Sequence, residues 1–388
     1  MKLAVTAVTA LAALVLAACG STVAPRATST PAPTVTSTAA PTATPVPTPL
    51  PTPVPTPPLV VTAMCNGCVG GRGTDVQLTL VGEDGSVAAT VDDPGGAYGA
   101  SYYVGSSDVY FIDGATVKSL ARNGTVTDVG QVPQVRTTVP ASDLQAYTAF
   151  AVSPDETTLV FGLPLASAGD NGATTSHSQL WTEPTGGTVA SATMVFDDAD
   201  NTVNGGEVLM PFAWSNTGIS VSEMPKGLGG VGPFLTYVGF NAATFDPTTR
   251  TLHPLDCSVS TAPGSVCVTE QGDSTFKVVR SSGTETLTWQ PANAEYGPVS
   301  VSADGRYLAY GAYVGECCGS SGYYVTTVVD LSTGATISTV RGFEPEEWLA
   351  DDRLVVSDEF QEGATWLLSP AFTSPHKISP NPPVGALA

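Results

Sequence analysis

From Leu59 to the C-terminus, apolar and polar positions alternate in short runs separated by turn signals. A period of two suits an extended strand with one face in a core and the other in water. Paired runs across a turn predict antiparallel hairpins. Stretches with sustained helical periodicity are scarce. Two hairpins are clear: Ala149–Gly162 reads AFAVSPDETTLVFG, and Val299–Gly311 reads VSVSADGRYLAYG. Each places Ser-x-Asp at a tight turn, where the aspartate can accept hydrogen bonds from nearby backbone amides. Asp304-Gly305 is also a strong turn dipeptide, because glycine tolerates positive φ. Weaker copies run through Phe212–Val221, Trp348–Val356 and Tyr103–Phe111.

Spacing turns these hairpins into an architecture. The turns fall at positions 108, 155, 216, 304 and 352, at intervals of 47, 61, 88 and 48. The interval of 88 holds one degenerate unit, around Val266 to Trp289, so the mean period is about 49 residues. Units of that length with four short strands are β-propeller blades. The S-P-D-x-x-x-L-x-F and S-A-D-G-R-Y-L-A-Y strings resemble the blade hairpins of TolB-type, WD-repeat-like bacterial propellers. The fold class expected is therefore all-β. Before the first full unit, Leu59–Ala63, Asp75–Val81 and Val87–Val91 read as three strands of a blade without its first strand. A ring must close, because an open edge invites aggregation. The C-terminal tail can supply the missing strand, or residues 59–91 can complete the last blade. Seven blades are expected, with six as the alternative.

The N-terminus follows a different pattern. Lys2 precedes an apolar run from Leu3 to Ala18, of signal-peptide length and short for a membrane span. It ends in Leu16-Ala17-Ala18-Cys19, which resembles the lipobox of bacterial lipoproteins. The resemblance implies cleavage after residue 18, acylation of Cys19 and attachment to the membrane through it. From Gly20 to Pro58, 23 of 39 residues are proline or threonine, and Arg26 is the only charge. Proline lacks the N–H that ladders and helices need, and so little apolar surface cannot offset chain entropy. The segment 19–58 is expected to be a disordered, polyproline-type spacer, reaching up to about 120 Å at roughly 3.1 Å per residue. Residues 59–388 form the propeller domain.

Six cysteines remain after Cys19: Cys65, Cys68, Cys257, Cys267, Cys317 and Cys318. An even number in an exported chain suggests disulfides. Cys257 and Cys267 flank Pro263-Gly264 and are expected to pair. Cys65-x-x-Cys68 lacks a thioredoxin-like setting, and adjacent Cys317-Cys318 are poor tetrahedral zinc ligands. Both clusters fall between the second and third strands of their blades, on one face. Leu163–Ser178 and Glu223–Pro233 read as long inserts at the equivalent connection, whereas the opposite turns are short. Loops carry function on rigid scaffolds, so this face is the candidate binding surface.

Catalytic signals are thin. His177, His253 and His376 form no metal-ligand motif, and no Gly-x-Ser-x-Gly elbow occurs. Asp197-Asp198-Ala199-Asp200 lacks the glycine and terminal glutamate of a calcium loop. No catalytic residue, metal or cofactor is expected. A net charge of −21 excludes a basic nucleic-acid footprint and repels anionic lipid. Cationic peptides or metal ions remain compatible partners. The leading expectation is a lipid-anchored extracytoplasmic module binding an envelope protein, glycan or peptide. The alternatives are an enzyme with its site at the channel mouth, and a purely structural envelope component.

Overall fold

The computed structural model describes residues 57–66, 75–93, 102–133, 149–168, 174–197, 207–215, 218–225, 242–254, 259–260, 266–270, 275–280, 283–288, 295–302, 304–314, 322–358 and 363–387. They belong to the compact unit Pro55–Ala388. The leader, Cys19 and the spacer up to Thr56 lie outside them.

Seven four-stranded antiparallel sheets are present among the described residues. The first contains β1 (Leu59–Asn66), β2 (Asp75–Val81) and β3 (Val87–Asp93). The second runs β4 (Tyr102–Val104), β5 (Asp108–Asp113), β6 (Thr116–Ala121), β7 (Val126–Gln131). The third runs β8 (Ala149–Val152), β9 (Thr158–Ala168), β10 (Thr174–Pro184), β11 (Thr193–Asp197). The fourth runs β12 (Glu207–Ser215), β13 (Gly218–Pro225), β14 (Ala242–Asp246), β15 (Thr251–Pro254). The fifth runs β16 (Val259–Ser260), β17 (Val266–Glu270), β18 (Thr275–Arg280), β19 (Gly283–Thr288). The sixth runs β20 (Glu295–Val301), β21 (Tyr307–Val314), β22 (Tyr323–Asp330), β23 (Ala335–Arg341). The seventh runs β24 (Glu344–Trp348), β25 (Leu354–Ser357), β26 (Thr365–Leu368), β27 (Pro375–Ser379).

The strand missing from the first sheet comes from the C-terminus. β28 (Pro383–Leu387) pairs with β1, Leu59 opposite Leu387 and Val60 opposite Ala386. The first strands then meet at six of the seven junctions between successive sheets. β28 touches β4, β4 touches β8, β8 touches β12, β16 touches β20, β20 touches β24, and β24 returns to β28. Sheets joined in chain order through their first strands form a β-propeller.

Its cores lie between sheets. Val61, Leu78 and Leu80 of the first sheet pack on Val109, Phe111 and Leu120 of the second. Ala151, Val160 and Leu180 of the third meet Ile219, Val221 and Phe245 of the fourth. Val60 and Val81 meet Val355 and Leu367 across the closure. This explains a departure from simple alternation. β8 and β25 are buried along their whole length, because each sheet is sandwiched between two neighbours. The outer strands β7 and β23 keep one wet face.

The two Ser-x-Asp turns are built alike. Ser153 Oγ donates to Asp155 Oδ1 (2.6 Å) and accepts from Thr158 N–H (3.0 Å). Ser302 Oγ donates to Asp304 Oδ1 (2.7 Å) and accepts from Tyr307 N–H (2.9 Å). The turn passes through positive φ at Glu156 (56°) and Gly305 (70°). Glu156 also ties its sheet to the second one, accepting from Ser106 Oγ (2.8 Å) and Ser107 N–H (2.9 Å).

Candidate functional site

Antiparallel order decides which connections share a face. Links between second and third strands, and from each fourth strand to the next sheet, emerge on one side of the ring. First-to-second and third-to-fourth turns emerge on the other. The strand ends Asn66 of β1, Val314 of β21, Ala168 of β9 and Pro225 of β13 therefore share the first side; the connections that follow them, with Cys317 and Cys318, lie outside the described residues. One reading changes. Leu163–Ser178 is mostly not a loop, because β9 and β10 stay paired from Leu163–Gln179 out to Ala168–Thr174. The insert lengthens a hairpin, whose paired backbone groups satisfy one another.

At the mouth of the ring on this side, β24 carries Glu344, Glu346 and Glu347. The equivalent stretches before the Ser-x-Asp turns, Phe150–Val152 and Val299–Val301, are apolar or neutral. Pairing of β24 with β25 slips between Pro345 and Glu347, so Glu346 is a bulged residue. Similar slips occur in β12, β20 and opposite β28. Bulges re-aim side chains and are frequent beside functional sites. Glu346 Oε1 accepts from Ser357 Oγ (2.5 Å), and Glu347 Oε1 from Trp348 N–H (3.1 Å).

Glu344 is 1% exposed, and neither carboxylate oxygen has a hydrogen-bond partner. Burial, then the charge of Glu346, pushes its carboxyl up to about 8, with the Tyr324 hydroxyl acting the other way. Burial lifts Glu346 and Glu347 to about 7 each. Burial, and then the charge of Glu346, raises the phenol of Tyr102 on β4. These effects run from the seventh sheet across β28 to the second.

Two aromatic pairs lie on the same side of the sixth and seventh sheets. Tyr324 meets Tyr313 edge-on at 5.1 Å, and Phe343 meets Trp366 at 5.4 Å. The Arg341 guanidinium lies 3.5 Å from the Tyr323 ring centre, and Lys377 Nζ 5.9 Å from that of Trp366. Trp366 Nε1 donates to Asp358 Oδ2 (3.0 Å). An open groove of about 750 Å³ on the opposite side is lined by Asp155, Trp214 and Asp246 among others. Its carboxylates are engaged by their own turns: Asp155 by Ser153 and Thr157, Asp246 by Thr248 and Thr249.

The histidines are not brought together. His177 sits on β10, His253 on β15 beside Thr251 (2.9 Å), and His376 on β27 against the Glu83 carbonyl (3.1 Å). Asp197 ends β11 and accepts from Gln179 Nε2 (2.7 Å); the other acids of its run lie outside the described residues. Cys267 lies on β17 opposite Ser260, and Cys65 on β1. Cys19, Cys68, Cys257, Cys317 and Cys318 lie outside the described residues, as do the side chains of Cys65 and Cys267. The glutamates of β24 were missed in the sequence. Their signal was three acids in Phe343–Trp348, where the other clear repeats carry none.

No family model matches the chain, and no curated protein matches it. Solved structures resemble it in fold. The periplasmic gluconolactonase of Pseudomonas aeruginosa is 15% identical with a TM-score of 0.47, over 84% of this chain and 96% of that one. TolB from Acinetobacter baumannii is 12% identical with a TM-score of 0.37, over 85% and 82%. A chain of the mitotic checkpoint complex is 14% identical with a TM-score of 0.43, over 74% and 82%. The propeller assignment itself stands on the seven sheets among the described residues and on the contacts of their first strands.

Proposed function

We propose that this chain is a seven-bladed propeller exported from a bacterial cell, held at the membrane by lipid on Cys19, and used as a binding module for an envelope protein, glycan or peptide. One observation carries the binding reading. The long-connection side carries two aromatic pairs, Tyr313 with Tyr324 and Phe343 with Trp366, on neighbouring strands of the sixth and seventh sheets. Partly buried rings and a few polar groups on rigid strands suit recognition. The lipobox-like Cys19 and the Pro/Thr-rich spacer support export and attachment. An oxidising location in turn supports a Cys257–Cys267 disulfide.

The test is retention from solubilised envelope fractions on immobilised protein carrying Cys19→Ser. Defined components should be retained, and Trp366→Ala should reduce retention at least fivefold while Trp214→Ala, in the opposite groove, leaves it intact. Retention lost through Trp214 but not Trp366 would place binding on the wrong side. Retention of nothing would favour a structural role.

A further inference from the structure

We propose that the open groove between the third and fourth sheets is a separate site for a short, neutral saccharide. It lies on the side of the ring opposite the aromatic pairs and goes beyond the binding-module reading. Three observations converge.

The first is the groove itself. Its volume of about 750 Å³ is that of a small-molecule site, for which ~300–1,000 Å³ is usual. Both sheets build it. The third contributes the Ser-x-Asp turn between β8 and β9, with Asp155 and Thr157. The fourth contributes Trp214 at the end of β12, and Asp246 and Thr248 from the β14–β15 turn. The second observation is the ring. Trp214 is half-buried, packed on the core shared by the two sheets. Among the described residues its indole N–H has no acceptor, whereas those of Trp181 and Trp366 donate to Gln179 (3.0 Å) and Asp358 (3.0 Å). The third is the way the turns hold their acids. Asp155 accepts from Ser153 Oγ (2.6 Å), Thr157 N–H (3.2 Å) and Thr157 Oγ1 (2.9 Å), all at Oδ1. Its Oδ2 is left open to the groove side. Asp246 is fixed in the same manner by the amides of Thr248 (2.8 Å) and Thr249 (3.3 Å) at Oδ1.

A sugar ring presents an apolar C–H face and a rim of hydroxyls. An indole offers a flat apolar body with one polar tip, and a fixed carboxylate accepts strong hydrogen bonds from hydroxyls. Holding each acid by its own turn sets those acceptors in place before the ligand arrives, so little order is lost on binding. The net charge of −21 disfavours an anionic ligand. A metal ion fits less well, because among the described residues no three acids, histidines or cysteines converge to hold one.

The experiment is titration of the full chain, in a sugar-free detergent, with maltotriose, cellotriose and triacetylchitotriose, followed by calorimetry and saturation-transfer NMR. At least one should bind, with saturation concentrated on the C–H protons of a ring face. The anionic trigalacturonate should bind at least tenfold more weakly than the best of them. Asp155→Asn, which keeps an accepting oxygen for the turn, should weaken binding at least fivefold with cooperative unfolding retained. Trp214→Ala should abolish it; Trp214→Phe, which keeps a smaller ring on the core, should retain weakened binding. Failure of all three neutral sugars overturns the proposal, as does binding indifferent to Asp155→Asn and to both Trp214 substitutions. Binding that appears only with added calcium does so too, since it marks a metal-bridged site. Saccharide binding lost through Trp366→Ala but not through Trp214 overturns the groove and leaves the module reading standing. Saccharide binding through Trp214 with no envelope component retained sinks the module reading and leaves the groove.

Discussion

Gly162 shows what close packing between sheets demands of one residue. A Cβ there would stand 2.1 Å from the Leu209 carbonyl oxygen and 2.6 Å from Pro211 Cδ, both on the neighbouring sheet's first strand. Ser178 helps hold that approach, accepting from Leu209 N–H at 3.0 Å. Because the obstacle is backbone, Gly162→Ala should cost about 1–3 kcal/mol by overpacking, read as a lower denaturant midpoint. A midpoint equal to that of the parent would show that the sheets can separate freely. Glu344 makes the opposite kind of demand. Its folded pKa of about 8 exceeds the ordinary 4.5, so the folded state holds its proton more tightly than the unfolded state does. The stability it contributes is complete below about pH 4.5 and is lost as pH rises through about 8. At about 1.4 kcal/mol per pKa unit, the loss by alkaline pH reaches several kcal/mol. Glu344→Gln should therefore be more stable than the parent at pH 8 and flatten the decline between pH 5 and 8, measured by urea unfolding. A pH slope unchanged by the substitution would show that Glu344 is not the source.

At the scale of elements, closure is the vulnerable step. β28 and β1 join the two ends of the chain into one sheet. Beside that seam, Arg353 forms a forked pair with Glu83 of the first sheet and also pairs with Asp351. A bidentate, partly buried arginine pair is worth more than an exposed one. Arg353→Ala should lower the unfolding temperature by several degrees and expose the seam to limited proteolysis first. Cleavage beginning instead in the β9–β10 hairpin would place the weak point elsewhere. The fifth sheet holds Cys267 on β17. Pairing it with Cys257 would close a loop that restricts the unfolded chain by roughly 3 kcal/mol. Non-reducing peptide mapping of exported protein should recover the linked peptides; two free thiols would refute the pairing.

For the whole molecule, the decisive question is attachment. A diacylated cysteine anchors stably, whereas one acyl chain binds only marginally. Cys19→Ser should abolish fatty-acid labelling and release the chain from membranes. Labelling that survives the substitution would end the lipoprotein reading.

The sequence by itself determined the all-β class and the period of the units. It also determined the two matching Ser-x-Asp turns and the need for a strand to complete the first sheet. These are legible because turn chemistry and strand alternation are local. Each depends on residues within a few positions of one another, as Ser153, Asp155 and Thr158 do. The tertiary structure alone decided that β28 supplies the missing strand, since Leu59 and Leu387 are joined by ring closure and not by any local signal. It alone turned the Leu163–Ser178 insert into a longer hairpin. It also assembled the acid corner. Glu344 and Tyr324 sit on different sheets, and only packing of sheet on sheet removes water from that carboxylate.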